Sequence, residues 1–133
     1  MKVRYIFLTT VFTLFTYTLV MACDDIKKQM KALAGTWELL KTDCCGRLNK
    51  TTIAEPGEKV ITFFADGKME MTSDGEKVQS SWRMYRDTNF DKEATLLDLG
   101  KQNRPAMYNI QGDTLIISWG YMDLQTEYYL RKK

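Results

Sequence analysis

The sequence predicts an all-β domain: eight antiparallel strands in an up-and-down barrel, preceded by one short helix. Three observations carry that expectation. Hydrophobic periodicity changes from 3.6 residues to 2 at Gly35 and keeps the shorter period to the end of the chain. The alternating stretches are separated by turn chemistry, including Asp66-Gly67 and Asp74-Gly75, the strongest short-range hairpin signals a sequence offers. The connections are also short, so each strand should pair with its predecessor. Such a meander leaves two unpaired edges unless the sheet closes. A barrel is the economical solution, and a sandwich is the alternative.

In chain order, residues 25–33 read as an amphipathic helix, with Ile26, Met30 and Leu33 at i, i+4 and i+7 and Lys27, Lys28 and Lys31 elsewhere on the wheel. Ala34-Gly35 ends it. The predicted strands cover residues 36–41, 58–65, 68–73, 77–85, 94–99, 106–111, 114–119 and 124–131. Alternation assigns an interior face: Met69 and Met71; Val78, Ser80, Trp82 and Met84; Tyr108 and Ile110; Leu115, Ile117 and Trp119; then Leu124, Thr126, Tyr128 and Leu130. No charged residue falls on these faces. Residues 43–57 form the longest irregular segment, the length at which a loop is commonly functional.

At 133 residues the chain suits one globular domain. It contains no histidine, which removes His-based triads and His-ligated zinc. No paired acids, activated serine or phosphate-cradling glycine loop is legible, so neither catalysis nor a cofactor is expected, and a monomer suffices. Cys44-Cys45 lies in the long segment. Two ordinary thiols is the favoured reading, with a vicinal disulfide as the alternative in an oxidising compartment. A metal or redox site fits less well, because adjacent thiols lack the Cys-x-x-Cys spacing.

Met1-Lys2-Val3-Arg4 is a short positive segment, and residues 5–21 follow without a charge, diluted by five threonines. That is marginal for a permanent membrane span and well suited to a signal sequence. Removing Lys2 and Arg4 with it leaves 17 basic against 17 acidic side chains, so no electrostatic footprint for nucleic acid remains. The segment ends Leu19-Val20-Met21-Ala22-Cys23, which resembles the lipobox of bacterial lipoproteins. The resemblance implies a signal peptide over 1–22 and lipidation at Cys23, with 23–34 as tether and helix and 35–133 as the barrel domain. It also implies a place in the cell envelope of a Gram-negative bacterium, most naturally at the outer membrane. An ordinary secretory signal, with Cys23 incidental, is the other reading of the same residues.

Gly35-Thr36-Trp37 opens the first strand directly after the helix. This resembles the lipocalin-like branch of the calycin superfamily, whose members carry Gly-x-Trp there, and the chain looks most like its small bacterial lipoproteins. The resemblance implies that Gly35 and Trp37 are structural and that Arg131, near the end of the last strand, packs over the indole at the closed end of the barrel. It further implies a cavity for a small hydrophobic molecule, lined by Met69, Met71, Trp82, Met84, Tyr108, Trp119 and Tyr128. The 43–57 loop would be its lid, with Leu48 and Ile53 over the mouth. A core filled by those same aromatics stays open as the alternative. The function would then be that of an interaction module binding a protein or glycan through its loops.

Overall fold

The computed structural model describes residues 25–44, 50–87, 94–100, 105–119 and 125–133. Helix α1 spans residues 25–33. Among the described residues ten strands follow: β1 (Gly35–Cys44), β2 (Lys50–Ile53), β3 (Lys59–Phe63), β4 (Lys68–Ser73), β5 (Glu76–Ser81), β6 (Arg83–Asp87), β7 (Ala94–Asp98), β8 (Ala106–Gln111), β9 (Thr114–Trp119) and β10 (Gln125–Arg131). All pairings are antiparallel, in the order β5-β4-β3-β1-β10-β9-β8-β7-β6 with β2 added to β1. The sheet curls into a half-barrel around one core.

The count of ten against the expected eight has two local causes. The expected 77–85 strand breaks at Trp82, giving β5 and β6. There the Trp82 amide donates to the Gly67 carbonyl (2.8 Å) and the indole N–H to the Phe64 carbonyl (3.0 Å), so the chain is bolted to the β3–β4 turn rather than to a neighbouring ladder. Its ring meets Phe63 edge-on, with centroids 5.3 Å apart. The second cause lies in the expected lid. β1 runs on through Asp43 and Cys44, and β2 pairs with it from Lys41↔Ile53 to Cys44↔Lys50. The described part of 43–57 therefore includes the end of β1, the whole of β2 and a turn at 56–57. Ile53 is 71% exposed instead of folding over the mouth, and Leu48 lies outside the described residues.

The core joins Leu33, Trp37, Leu39, Ile61, Phe63, Met69, Trp82, Met84, Leu97, Leu99, Ala106, Leu115, Ile117 and Tyr129, with Ile26 and Met30 of α1 packed against it. Each large apolar side chain fully buried here contributes roughly 1.5–3 kcal/mol of transfer free energy. Two interior assignments change. Val78, expected inside, is 46% exposed at the free edge of β5. On β10 the whole face reverses: Glu127 (4% exposed) and Tyr129 (0%) are buried, whereas Leu130 is 43% exposed and Tyr128 lies on the opposite side from them. A one-residue change of phase turns every side chain of a strand over.

Candidate functional site

The two ends of the sheet are built differently. At one end α1 lies across the opening. The Trp37 indole donates to the Leu33 carbonyl at 2.8 Å, and Tyr108 donates to Gln29 Oε1 at 2.5 Å. Arg131 places its guanidinium 4.1 Å from the centre of the Trp37 ring and donates to the carbonyls of Ala34 and Ala32. Gly35 is fixed by this contact. Its φ is +133°, and a Cβ there would stand 2.8 Å from Arg131 Nη1. The Gly35, Trp37 and Arg131 geometry thus closes the α1 end.

The opposite end, the mouth, is polar. Glu127 projects inward from β10 and gathers four donors. Oε1 accepts from Lys59 Nζ (2.7 Å) and Gln125 Nε2 (3.3 Å), and Oε2 from Trp119 Nε1 (2.9 Å) and the Tyr129 hydroxyl (2.7 Å). Lys59 comes from β3 and Trp119 from β9, so the cluster ties three strands. Burial pushes the Glu127 carboxyl up, but the Lys59 ammonium and the hydrogen bonds from Lys59, Trp119 and Tyr129 outweigh it, leaving a net lowering. Burial, and then the neighbouring carboxylate, push the Tyr129 phenol well above its ordinary value. A carboxylate saturated with donors is a poor proton acceptor, so this arrangement suits binding and positioning better than general-base chemistry.

Lys59 also lines a cavity of about 450 Å³ with Met71, Ser73, Asp74, Glu76 and Val78. That volume lies within the range of small-molecule sites. Two other surface cavities, about 460 Å³ beside Phe64 and Gln79 and about 360 Å³ beneath Gln29 and Ala32, do not touch the Glu127 cluster.

Of the seven lining residues expected from the sequence, Met71 lines the mouth cavity and Trp119 reaches the Glu127 cluster. Met69, Trp82 and Met84 are buried in the core, while Tyr108 packs against it and donates to Met84 Sδ at 3.4 Å as well as to Gln29. Tyr128 sits under the Lys41 ammonium, 4.2 Å from its ring centre, away from the interior. Cys44 is disulfide-bonded, which corrects the expectation of two ordinary thiols; Cys23 and Cys45 lie outside the described residues.

Glu127 and Lys59 escaped the sequence reading because the inner face was chosen by apolarity. A signal existed nonetheless. If Arg131 stacks on Trp37 from inside, the period of two forces Tyr129 and Glu127 inward as well. No protein-family model and no curated protein matches the chain.

Proposed function

We propose that this is a lipid-anchored, lipocalin-like protein of the bacterial cell envelope that holds a small molecule at the mouth of its barrel. The ligand has an apolar body, which lies against Met71 and Val78, and a polar end, which meets the charged rim. The single observation that carries the reading is the cavity lined by Lys59, whose ammonium also binds the buried Glu127 carboxylate.

Closure into an eight-stranded barrel is part of this reading, with β5 and β6 counted as one kinked strand. From Gly35 the ladder leads through Phe63 and Met69 to Ser80. From Gln125, at the other end of the β1–β10 pair, it leads through Trp119, Ala106 and Leu97 to Met84. Both routes reach the same stretch of chain, with a stagger of about 12 residues between them. Over eight strands ~4.8 Å apart, a stagger of about that many ~3.3 Å steps tilts the strands by roughly 45°, close to the tilt of closed barrels. Gly100, just beyond β7, supports the same view: a Cβ there would meet Ser80 and Ser81 of β5.

The anchor is acylated Cys23, whose chains contribute ~0.8 kcal/mol per buried methylene. A thioether consumes the Cys23 sulfur, so the disulfide at Cys44 is then left with Cys45 alone as its partner in the chain. Peptide mapping without reduction should recover acylated Cys23 and no Cys23–Cys44 bridge; that bridge would sink the anchor. For the ligand, native mass spectrometry of protein extracted from membranes should show an adduct that organic extraction removes and Met71→Arg abolishes. A clean apo mass, repeated after incubation with fatty acids and other apolar candidates, would overturn the binding reading. The cluster of buried side chains in the core then favours the second reading, a filled barrel presenting its loops to a protein or glycan.

A further inference from the structure

We propose that the outer face of α1 rests on an anionic bilayer surface and so points the mouth away from the membrane. This rests on the reading that the chain is membrane-tethered through its N-terminal segment. Ile26, Met30 and Leu33 turn toward the core, which leaves Lys27, Lys28 and Lys31 exposed on the outside of the helix. The carboxylates near this end are already engaged: Asp25 with Arg86 (3.4 Å), Glu38 with Lys132 (3.1 Å) and Asp113 with Lys133 (4.0 Å). Lys27, Lys28 and Lys31 have no ion-pair partner among the described residues. The mouth has the opposite character. Lys59 is committed to Glu127, while Asp74 and Glu76 at the rim have no cation partner among the described residues. Among the described residues the α1 end therefore carries three cations without an ion-pair partner, whereas the mouth end carries Asp74 and Glu76 beside one such cation, Lys50 on β2.

Position completes the argument. From Cys23 to Asp25 the chain reaches at most ~7 Å. With acyl chains on Cys23 in the bilayer, α1 begins within about one Debye length (~8–10 Å) of the surface; with the apolar segment 5–21 in it instead, four residues hold α1 within at most ~14 Å. At that range exposed lysines are attracted to anionic headgroups, and the inverted pose, which would bring the rim carboxylates to the surface, is repelled.

The test uses the full chain reconstituted into vesicles, one set of phosphatidylcholine and one of phosphatidylcholine with phosphatidylglycerol. Lysine acetylation is followed residue by residue. Lys27, Lys28 and Lys31 should react several-fold more slowly on the anionic vesicles, and 1 M salt, with a Debye length of ~3 Å, should restore their rate. Lys50 on β2 and Lys77 on β5 should react equally on both. Equal reactivity of the α1 lysines on the two membranes would overturn the proposal. Intact mass keeps the two readings separate. Shielded lysines on an unacylated chain support the docking and discard the lipid anchor, whereas acylated protein with unshielded lysines discards the docking alone.

Discussion

Arg131 and Glu127 are both inward-facing charges on β10, and their surroundings differ in an instructive way. Arg131 has no carboxylate partner among the described residues: it lies over Trp37 and donates to two backbone carbonyls at the end of α1. Its charge is delocalised and weakly hydrated, so a ring and two dipoles suffice. Glu127 carries a compact charge and is buried with an ammonium and three further donors. The α1 end is thereby a dry plug that depends on packing. The mouth depends on electrostatic balance, which a ligand or a change of pH can reach.

The largest expected effect is at the plug. Trp37→Ala empties a fully buried site and should cost about 3–5 kcal/mol in chemical denaturation. A cost below about 1 kcal/mol would mean that the plug does not hold the fold. At the mouth, Lys59→Met strands a buried carboxylate, and we expect a loss of about 2–4 kcal/mol. Adding Glu127→Leu should recover much of it, since a well-packed apolar pair often matches a buried ion pair. A double variant no more stable than the single one would place the loss in packing instead. Gly35→Ala should cost about 1–3 kcal/mol, because its φ of +133° is left-handed and the new methyl meets Arg131.

The smallest effect is the most specific. Because the Glu127 carboxyl titrates below its unfolded value of 4.5, its contribution is complete above that pH and is lost as pH falls through the folded value. In Lys59→Met the ammonium is gone and burial is expected to dominate, raising the carboxyl above the unfolded value. Between about pH 6 and 4 that variant should gain stability as pH falls. Across this window urea midpoints should rise as pH falls for Lys59→Met, with no such rise in the parent protein, whose own loss from Glu127 comes below 4.5; parallel slopes would break the assignment.

Legibility in the sequence followed the range of the interaction. The 3.6-residue spacing of Ile26, Met30 and Leu33 is local, and α1 lies where it predicts. The Asp66-Gly67 and Asp74-Gly75 turns join β3 to β4 and β4 to β5, with Asp74 itself at φ 52°. β2 was missed because Lys50–Ile53 has no buried face at all, so no alternation of burial marks it. The break at Trp82 was missed because strand alternation continues straight through it; only the hydrogen bonds to Gly67 and Phe64 take that residue off the ladder.

The candidate site divides along the same line. Met71 and Trp119 were legible as inward residues of strands with one apolar face. Glu127 was not, since a carboxylate scores as outward until its partners are known, and Lys59, Trp119 and Tyr129 reach it from three strands. By itself the sequence determined the period, the turns, the helix and the Gly-x-Trp corner, all set by steric and hydrophobic preferences over a few residues. The tertiary structure decided which face of β10 points inward. Alternation offers two faces of equal regularity, and the choice between them is made by partners distant in the chain: Trp37 for Arg131 and Lys59 for Glu127.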